Sequence, residues 1–290
     1  FSQDHLDYHG TFEAYFDAKA RLFRDVLPEE GTAVINIDDA RGQDMAMIAE
    51  ERGQRVVTVG RYASADYQLT AQRFDATGQD IRVVFGGAAF TARLSLIGGF
   101  QAENVLIAAA LTVAAGGSVR EAFAAMPHLE TVRGRMEHAA TRQNGAAVFV
   151  DYAHTPDAVA TALRAIRPHV LGRLIVVLGA GGDRDATKRP LMGAAAAQNA
   201  DMVFVTDDNP RSEDPALIRA AVMEGCPEAT EVGDRAEAIL RAVDALGPGD
   251  TLLIAGKGHE TGQIVGDAVL PFDDVEQASI AVAALEGGLA

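Results

Sequence analysis

The sequence predicts an α/β protein whose second half is a doubly wound, mostly parallel sheet. Short apolar runs alternate there with stretches whose apolar residues recur every three or four positions, as on an amphipathic helix. The runs are apolar on both faces, which is typical of parallel strands covered by helices on both sides. Glycine-rich or acidic turns follow the runs, at the edge where such sheets collect functional residues.

The first half of the chain is less regular. A helix is predicted from Thr11, an N-cap residue, because apolar residues lie on one face of the segment that follows. A later Ala-rich helix is predicted to be buried and to end at Gly116. In chain order we predict a helix over 11–26, a strand over 33–37, several strands within 55–98 and a helix over 102–115.

The second half repeats a strand-then-helix unit. We place the domain boundary near residues 127–134, which divides the chain into 1–131 and 132–290. Predicted strands cover 146–150, 174–178, 202–205 and 251–255, and predicted helices cover 157–167, 188–199, 214–224 and 234–245.

Length, charge and composition narrow the class of protein. The 290 residues fit about two domains. The 25 Lys and Arg residues are outnumbered by 41 Asp and Glu, which gives a formal net charge of −16. Nucleic-acid binding depends on cations that neutralise phosphates, so this balance argues against a nucleic-acid partner.

The sequence also bears on where the protein resides. Its longest nearly apolar stretch, residues 105–115, is shorter than the roughly 20 residues that cross a bilayer, and no signal-peptide pattern opens the chain. The single cysteine, Cys226, forms neither an internal disulfide nor a cysteine-based zinc site. We expect a cytoplasmic protein with no membrane insertion, and a monomer by default. Because Phe1 is not Met, we also expect the chain to begin within a longer protein.

Four polar loops follow the predicted strands of the second half, and a parallel sheet would place them at one edge. Residues 179–185 could cradle an anion at a helix N-terminus or be an ordinary turn. Arg211 could grip a carboxylate with two parallel hydrogen bonds, or pair with Glu213 or Asp214 in a solvated turn. The loops are Asp151-Tyr152-Ala153-His154, residues 179–185, Asp207-Asp208-Asn209-Pro210-Arg211 and Gly256-Lys257-Gly258-His259-Glu260.

Two features near the start of the chain also carry potential chemistry. His5 and His9, with Asp4 and Asp7 interleaved, form either a metal site or a polar helix entry. Lys19 lies among apolar positions of its helix, where burial would favour a neutral, nucleophilic amine, although such a lysine usually extends its ammonium into solvent.

Taken together, these strings resemble the Mur ligases, the ATP-dependent amide ligases that build the peptide stem of peptidoglycan. The resemblance covers essentially the whole chain and implies the later part of the central ATP-binding domain followed by the Rossmann-like C-terminal domain. The matching strings are residues 4–10, Ala18-Lys19, residues 36–39, residues 99–104, Gly134-Arg135-Met136-Glu137, residues 151–156, residues 181–185, Lys188-Arg189-Pro190, residues 208–211 and residues 256–260.

The resemblance implies a role for each matching residue. Lys19 would be carbamylated and, with His5, would hold Mg²⁺; Lys19 and His154 would be the catalytic residues. Asn104 would contact adenine and Arg135 the nucleotide, with Asp151 on the ribose and His154 near the phosphates. The amino-acid pocket would consist of Arg184, Asp208, Asn209, Arg211, Gly256 and Glu260.

The Asp-Asn-Pro-Arg string resembles the branch of the family that uses meso-2,6-diaminopimelate, with ATP, Mg²⁺ and a UDP-N-acetylmuramoyl-dipeptide as its other partners. A lysine-adding ligase, a folate polyglutamate ligase and a non-catalytic amino-acid or nucleotide-binding module are the alternatives. A doubly wound oxidoreductase is disfavoured because G-x-G-x-x-G is absent. The G-x-x-x-x-G-K-[ST] phosphate loop is also absent, so we expect no catalysis by these residues alone.

Overall fold

The computed structural model describes residues 10–287, and the chain divides into two compact units, residues 1–130 and 131–290. In the first unit, Thr11 caps the first helix as predicted, since its Oγ1 accepts a hydrogen bond from the backbone N–H of Ala14 (3.1 Å). The helices are α1 (Phe12–Arg21), continued by a π-helical turn (Leu22–Val26), α2 (Gly42–Glu51), α3 (Phe100–Ala114), α4 (Val119–Ala125) and a 3₁₀ turn (Met126–His128).

The first unit contains a five-stranded sheet in the order β1-β2-β3-β4-β5. β1, β2 and β3 run parallel, whereas β3, β4 and β5 form an antiparallel meander. The buried face of α3, which includes Leu106 and Ala110, shares one core with Val59, Ile81 and Leu94 of the sheet. The strands are β1 (Thr32–Asn36), β2 (Arg55–Gly60), β3 (Tyr67–Asp75), β4 (Gly78–Phe85) and β5 (Ala88–Leu94).

The second unit is the doubly wound sheet that the sequence predicts. Its strand order is β10-β9-β8-β11-β7-β6, and all neighbours run parallel except β6 and β7. The predicted strands at 146–150, 174–178, 202–205 and 251–255 are confirmed within one residue. The strands are β6 (Glu137–Thr141), β7 (Ala147–Asp151), β8 (Leu174–Leu178), β9 (Met202–Val205), β10 (Thr230–Glu231) and β11 (Thr251–Ala255), with a separate hairpin of β12 (Gly262–Val265) and β13 (Ala268–Pro271).

Helices cover the central sheet and bury its strands on both faces. Every residue of β8 and β11 is buried, which explains why these strands could be predicted as uninterrupted apolar runs. No helix within residues 10–287 is long and apolar enough to cross a membrane. The helices are α5 (Pro156–Ile166), α6 (Lys188–Asn199), α7 (Pro215–Met223), α8 (Arg235–Asp244) and α9 (Asp274–Leu285), with a 3₁₀ turn at Arg167–His169.

An ion pair on the meander of the first unit is expected to make stability depend on pH. Both guanidinium nitrogens of Arg93 donate to the carboxylate of Asp75 (2.6 and 2.7 Å), and with Thr77 they hold the pKa of Asp75 well below its usual range. A lowered pKa adds stability above the unfolded pKa, near 3.9, and that stability is lost as pH falls further.

We therefore expect Arg93→Met to lower the melting temperature at pH 7 and to have a shrinking effect as the pH falls from 5 to 3. Thermal unfolding across this range checks the prediction. Arg82→Met is the matched control, because Arg82 is an exposed arginine of β4 for which residues 10–287 provide no ion pair. An Arg93→Met effect that stays constant with pH would contradict it.

Candidate functional site

The carboxyl ends of β7, β8, β9 and β11 carry the four polar loops to one edge of the second sheet. Backbone hydrogen bonds join the loops to one another. The N–H of Gly256, after β11, donates to the carbonyl of Asp151 at the end of β7 (3.1 Å). The N–H of Gly182, after β8, donates to the carbonyl of Asn209 after β9 (2.9 Å). The parallel sheet thus brings the predicted loops together.

At the centre of this edge, Asn209 and Glu260 meet Lys257. The amide nitrogen of Asn209 donates to Oε2 of Glu260 (2.8 Å), and Nζ of Lys257 donates to the same oxygen (3.2 Å) and to Oδ1 of Asn209 (2.9 Å). Asn209 and Lys257 are buried, whereas Glu260 is half-buried. Lys257 was missing from the predicted site, although the motif that contains it was recognised.

Arg211 points back toward the loop that follows β8. One of its guanidinium nitrogens donates to the carbonyl of Gly182 (2.7 Å), and its backbone has a left-handed φ of 52°. The alternative in which Arg211 pairs with Glu213 or Asp214 is wrong. Glu213 instead pairs with Arg189 (2.8 Å), and Asp214 caps α7 by accepting from the N–H of Ala216 (2.9 Å).

The loop at residues 179–185 is held by protein groups. The N–H of Asp183 donates to Glu213 (2.6 Å), and the carboxylate of Asp183 accepts hydrogen bonds from the N–H and hydroxyl of Ser212. These bonds lower the pKa of Asp183. Because the N–H groups of Gly182 and Asp183 already donate to protein acceptors, they do not form an anion cradle. Arg184 is exposed on this loop.

Below the edge lies a buried ion pair. The guanidinium of Arg235 donates to both carboxylate oxygens of Asp274 (2.8 and 2.7 Å) and to the carbonyl of Ala255 (3.0 Å), and both charged side chains are 0% exposed. Above it, the buried carboxylate of Asp208 lies against Gly256. A Cβ at Gly256, whose φ is 119°, would stand 2.6 Å from Oδ2 of Asp208.

Three of the predicted nucleotide residues lie near Tyr152. Asp151 accepts hydrogen bonds from the N–H groups of Met136 (2.8 Å) and Ala153 (2.9 Å), and its burial raises its pKa. The guanidinium carbon of Arg135 is 4.8 Å from the centre of the Tyr152 ring, and Nδ1 of His154 is 2.8 Å from the carbonyl of Tyr152. The structure thus gathers Arg135, Asp151 and His154 on one side of the second unit.

The remaining predicted residues belong to the first unit. Lys19 is exposed, with Nζ 5.4 Å from the centre of the Tyr15 ring, so of the two alternatives the one in which its ammonium extends into solvent is confirmed and the one in which burial activates the amine is wrong. The reason is that α1 buries the face of Phe16 and Ala20. Asn104 is exposed on α3, and its amide donates to Oε1 of Gln101 (3.4 Å).

The candidate metal site at the start of the chain is not described. His5, its second proposed ligand, and His9 lie outside the described residues. Within residues 10–287, no three His, Cys, Asp or Glu side chains are grouped so that they could hold a metal ion.

The close approach of Gly134 to the loop after β11 predicts a costly substitution. Gly134 has a φ of 69°, and a Cβ there would lie 2.1 Å from the backbone nitrogen of His259. We expect Gly134→Ala to lower the free energy of unfolding by at least about 2 kcal/mol, because the backbone must shift as well as adopt a disfavoured conformation.

Gly145→Ala is the matched control for this prediction. Gly145 has a φ of 85° with nothing within 4 Å of its Cβ position, so only the conformational cost of about 1–2 kcal/mol remains. Urea unfolding of both variants checks the difference. Equal losses would show that the contact with His259 costs nothing.

Comparison with known proteins identifies the family. Residues 1–112 match the Mur ligase middle domain, and residues 134–258 match the Mur ligase glutamate ligase domain. The two family models together match well over half of the chain, so the chain belongs to the Mur ligase family.

Several relatives carry one name, UDP-N-acetylmuramoyl-L-alanyl-D-glutamate--2,6-diaminopimelate ligase. That of Zymomonas mobilis is 51% identical over 286 residues, and that of Bradyrhizobium diazoefficiens is 50% identical over 285. Both alignments cover 97% of this chain and 59% of the relative. The chain thus spans about three fifths of the length of these relatives.

Solved structures show the same likeness. A structure with that ligase name has a TM-score of 0.67 and 37% identity, covering 98% of this chain and 59% of its own. A folylpolyglutamate synthase of Mycobacterium tuberculosis, complexed with ADP and AMPPCP, has a TM-score of 0.69 at 20% identity, covering 99% of this chain and 62% of its own. The second likeness concerns the fold alone.

Proposed function

We propose that this chain is part of an ATP-dependent ligase that adds meso-2,6-diaminopimelate to UDP-N-acetylmuramoyl-L-alanyl-D-glutamate. The observation that carries the proposal is the edge cluster of Asn209, Arg211 and Glu260 in the second unit. The loops that carry the cationic Arg211 and the anionic Glu260 lie at the same edge of the sheet. Diaminopimelate carries two carboxylates and two ammonium groups, and therefore needs partners of both signs.

The contacts of the cluster support a pocket with partners for both kinds of charged group. Arg211 donates one hydrogen bond to Gly182, which leaves guanidinium N–H groups for a ligand carboxylate. Asp208 and Glu260 are the carboxylates that would accept hydrogen bonds from an ammonium group. Arg184, exposed on the adjoining loop, would meet the second carboxylate.

The same geometry disfavours lysine as the incoming amino acid. Lysine lacks the side-chain carboxylate of diaminopimelate, so it would leave the guanidinium of Arg211 desolvated and without an anionic partner. Such a loss costs on the order of several kcal/mol, which suffices for strong discrimination.

The nucleotide residues support a two-step reaction. Asp151 would hold the ribose, Arg135 and His154 the phosphate side, and Asn104 the adenine. A carboxylate oxygen of the D-glutamyl substrate attacks the γ-phosphorus of ATP, and ADP leaves. The diaminopimelate amine then attacks the acyl carbon, losing a proton as inorganic phosphate departs. The residues around Tyr152 and Asn209 orient these partners and reduce the entropic cost of bringing them together.

The chemistry of Lys19 fits a carbamate that holds Mg²⁺ together with His5. An exposed amine is open to CO₂, and its deprotonated form adds CO₂ to give an anionic carbamate with release of a proton. Magnesium prefers such oxygen ligands. Bound Mg²⁺ would neutralise charge on the transferring phosphoryl oxygens.

A thermal-shift titration of the 290-residue chain tests the substrate. Ligands that bind only the folded state raise the melting temperature. We expect a rise with meso-diaminopimelate and none with L-lysine at equal concentration. A rise with lysine alone would overturn the substrate assignment, and no rise with either would contradict a pocket formed by this chain alone.

A further inference from the structure

Lys257 is fully buried, and the function proposed for its neighbours leaves it without a role. Its side chain is 0% exposed. A buried ammonium is costly unless it is paired and hydrogen-bonded. Lys257 meets that condition through contacts with two of the candidate ligand residues, at Oδ1 of Asn209 and Oε2 of Glu260.

These contacts determine how Asn209 is oriented. Its Oδ1 accepts hydrogen bonds from Nζ of Lys257 (2.9 Å) and from the N–H of Ile264 (2.9 Å). With the oxygen held by two donors, the amide nitrogen must face Glu260, to which it donates (2.8 Å). Removing Lys257 would remove one of the two donors that prevent the amide from flipping.

The same contacts orient Glu260. Asn209 and Lys257 both donate to Oε2. Within residues 10–287, Oε1 accepts no hydrogen bond, so this oxygen is available to a ligand. The carboxylate is therefore held by one oxygen and can accept an N–H from a ligand with the other.

We propose that Lys257 is a positioning residue: it locks Asn209 and turns Oε1 of Glu260 toward an ammonium group of the incoming amino acid. This inference rests on the proposed function. Lys257 does not contact the ligand itself. It acts by holding Glu260, so its effect must disappear when the carboxylate of Glu260 is removed.

Calorimetric titration of the 290-residue chain with meso-diaminopimelate tests the coupling in a double-mutant cycle. We expect Lys257→Met to weaken binding at least tenfold, and Lys257→Met added to Glu260→Gln to weaken it further by less than threefold. Arg241→Met is the matched control. It removes the cation of an exposed ion pair with Glu237 in the same unit and should leave the affinity unchanged.

Wild-type affinity in Lys257→Met would overturn the inference, and so would an equal loss in the Glu260→Gln background, which would indicate a general effect on folding.

The side-chain amide signals of Asn209, read by NMR after selective ¹⁵N-asparagine labelling, provide a test without ligand. We expect their chemical shifts to move and their exchange with solvent to accelerate in Lys257→Met but not in Arg241→Met. Unchanged signals would overturn the inference. If the unmodified chain fails to bind diaminopimelate, a pocket formed by this chain alone is contradicted, while the amide signals still decide whether Lys257 positions Asn209.

Discussion

Replacing Arg235 with methionine is expected to lower the free energy of unfolding of the second unit by about 3–5 kcal/mol. The variant leaves the carboxylate of Asp274 buried at 0% exposure with its cation removed. It also removes a donor from the carbonyl of Ala255, the last residue of β11. Breaking one half of a buried pair is costly because the desolvated charge left behind has no compensation.

Equilibrium urea unfolding followed by circular dichroism checks this expectation. In the double variant Arg235→Met with Asp274→Leu, neither charge of this pair stays buried, so we expect most of the lost stability to return. Arg241→Met, which breaks an exposed pair with Glu237, should cost less than about 1 kcal/mol. A loss in Arg235→Met no larger than in Arg241→Met would mean that Asp274 finds water or another partner.

The double variant also separates stability from binding. Arg235 lies under Asp208 and Gly256, since a Cβ at Gly256 would stand 3.9 Å from Nη2 of Arg235 and 2.6 Å from Oδ2 of Asp208. With that cation gone, the carboxylate of Asp208 loses a favourable neighbour even if the fold is restored. Weakened binding of diaminopimelate in a stable double variant would therefore assign Arg235 a role in the pocket as well as in the core.

The sequence predicted the buried strands of the second unit because burial on both faces leaves an uninterrupted apolar run. β6 has no such run: it is an edge strand of sequence EHAAT that pairs antiparallel with β7. Helix α2 was difficult to predict for two reasons. Arg41, the residue before it, makes no side-chain cap, and only Gly42 and Ala49 of the helix are buried. The hairpin of a mostly half-buried β12 and an exposed β13 follows no alternating apolar pattern. These elements form because their neighbours position them.

The site was predictable where it depended on strand ends. Asp151 ends a strand, and Asn209 and Glu260 follow two others, so a parallel sheet is enough to bring their loops to one edge. Long-range pairing was not predictable. Arg235 and Asp274 are 39 residues apart, and each reads as an ordinary polar residue at the start of a helix.

The contacts of Lys257 could not be predicted from the sequence either. Its flanking glycines suggested a turn, and only the folded loop places Nζ between Asn209 and Glu260. For Lys19 the helical spacing was misleading, because the face of α1 that is buried lies one position away, at Phe16 and Ala20.

Arg211→Met is expected to weaken binding of meso-diaminopimelate by roughly 100-fold, about 3 kcal/mol, relative to binding of L-lysine. The guanidinium is the partner proposed for the ligand carboxylate that lysine lacks, so removing it abolishes the source of discrimination. The left-handed backbone of residue 211, with φ of 52°, adds no extra cost, because arginine and methionine are equally disfavoured there.

Arg211→Lys separates recognition from loop packing. The lysine side chain keeps a positive charge and a donor for the carbonyl of Gly182, which Arg211 reaches at 2.7 Å, but it lacks the planar fork that binds a carboxylate with two parallel hydrogen bonds. If Arg211 acts through that fork, Arg211→Lys must lose most of the preference for diaminopimelate while its melting temperature stays close to that of the unmodified chain. If Arg211 mainly ties the two loops together, Arg211→Lys must instead retain the preference, and Arg211→Met must lose thermal stability together with binding of both amino acids. Calorimetry with the two ligands on the three proteins distinguishes these cases, because only the first changes the ratio of affinities without changing the stability of the fold.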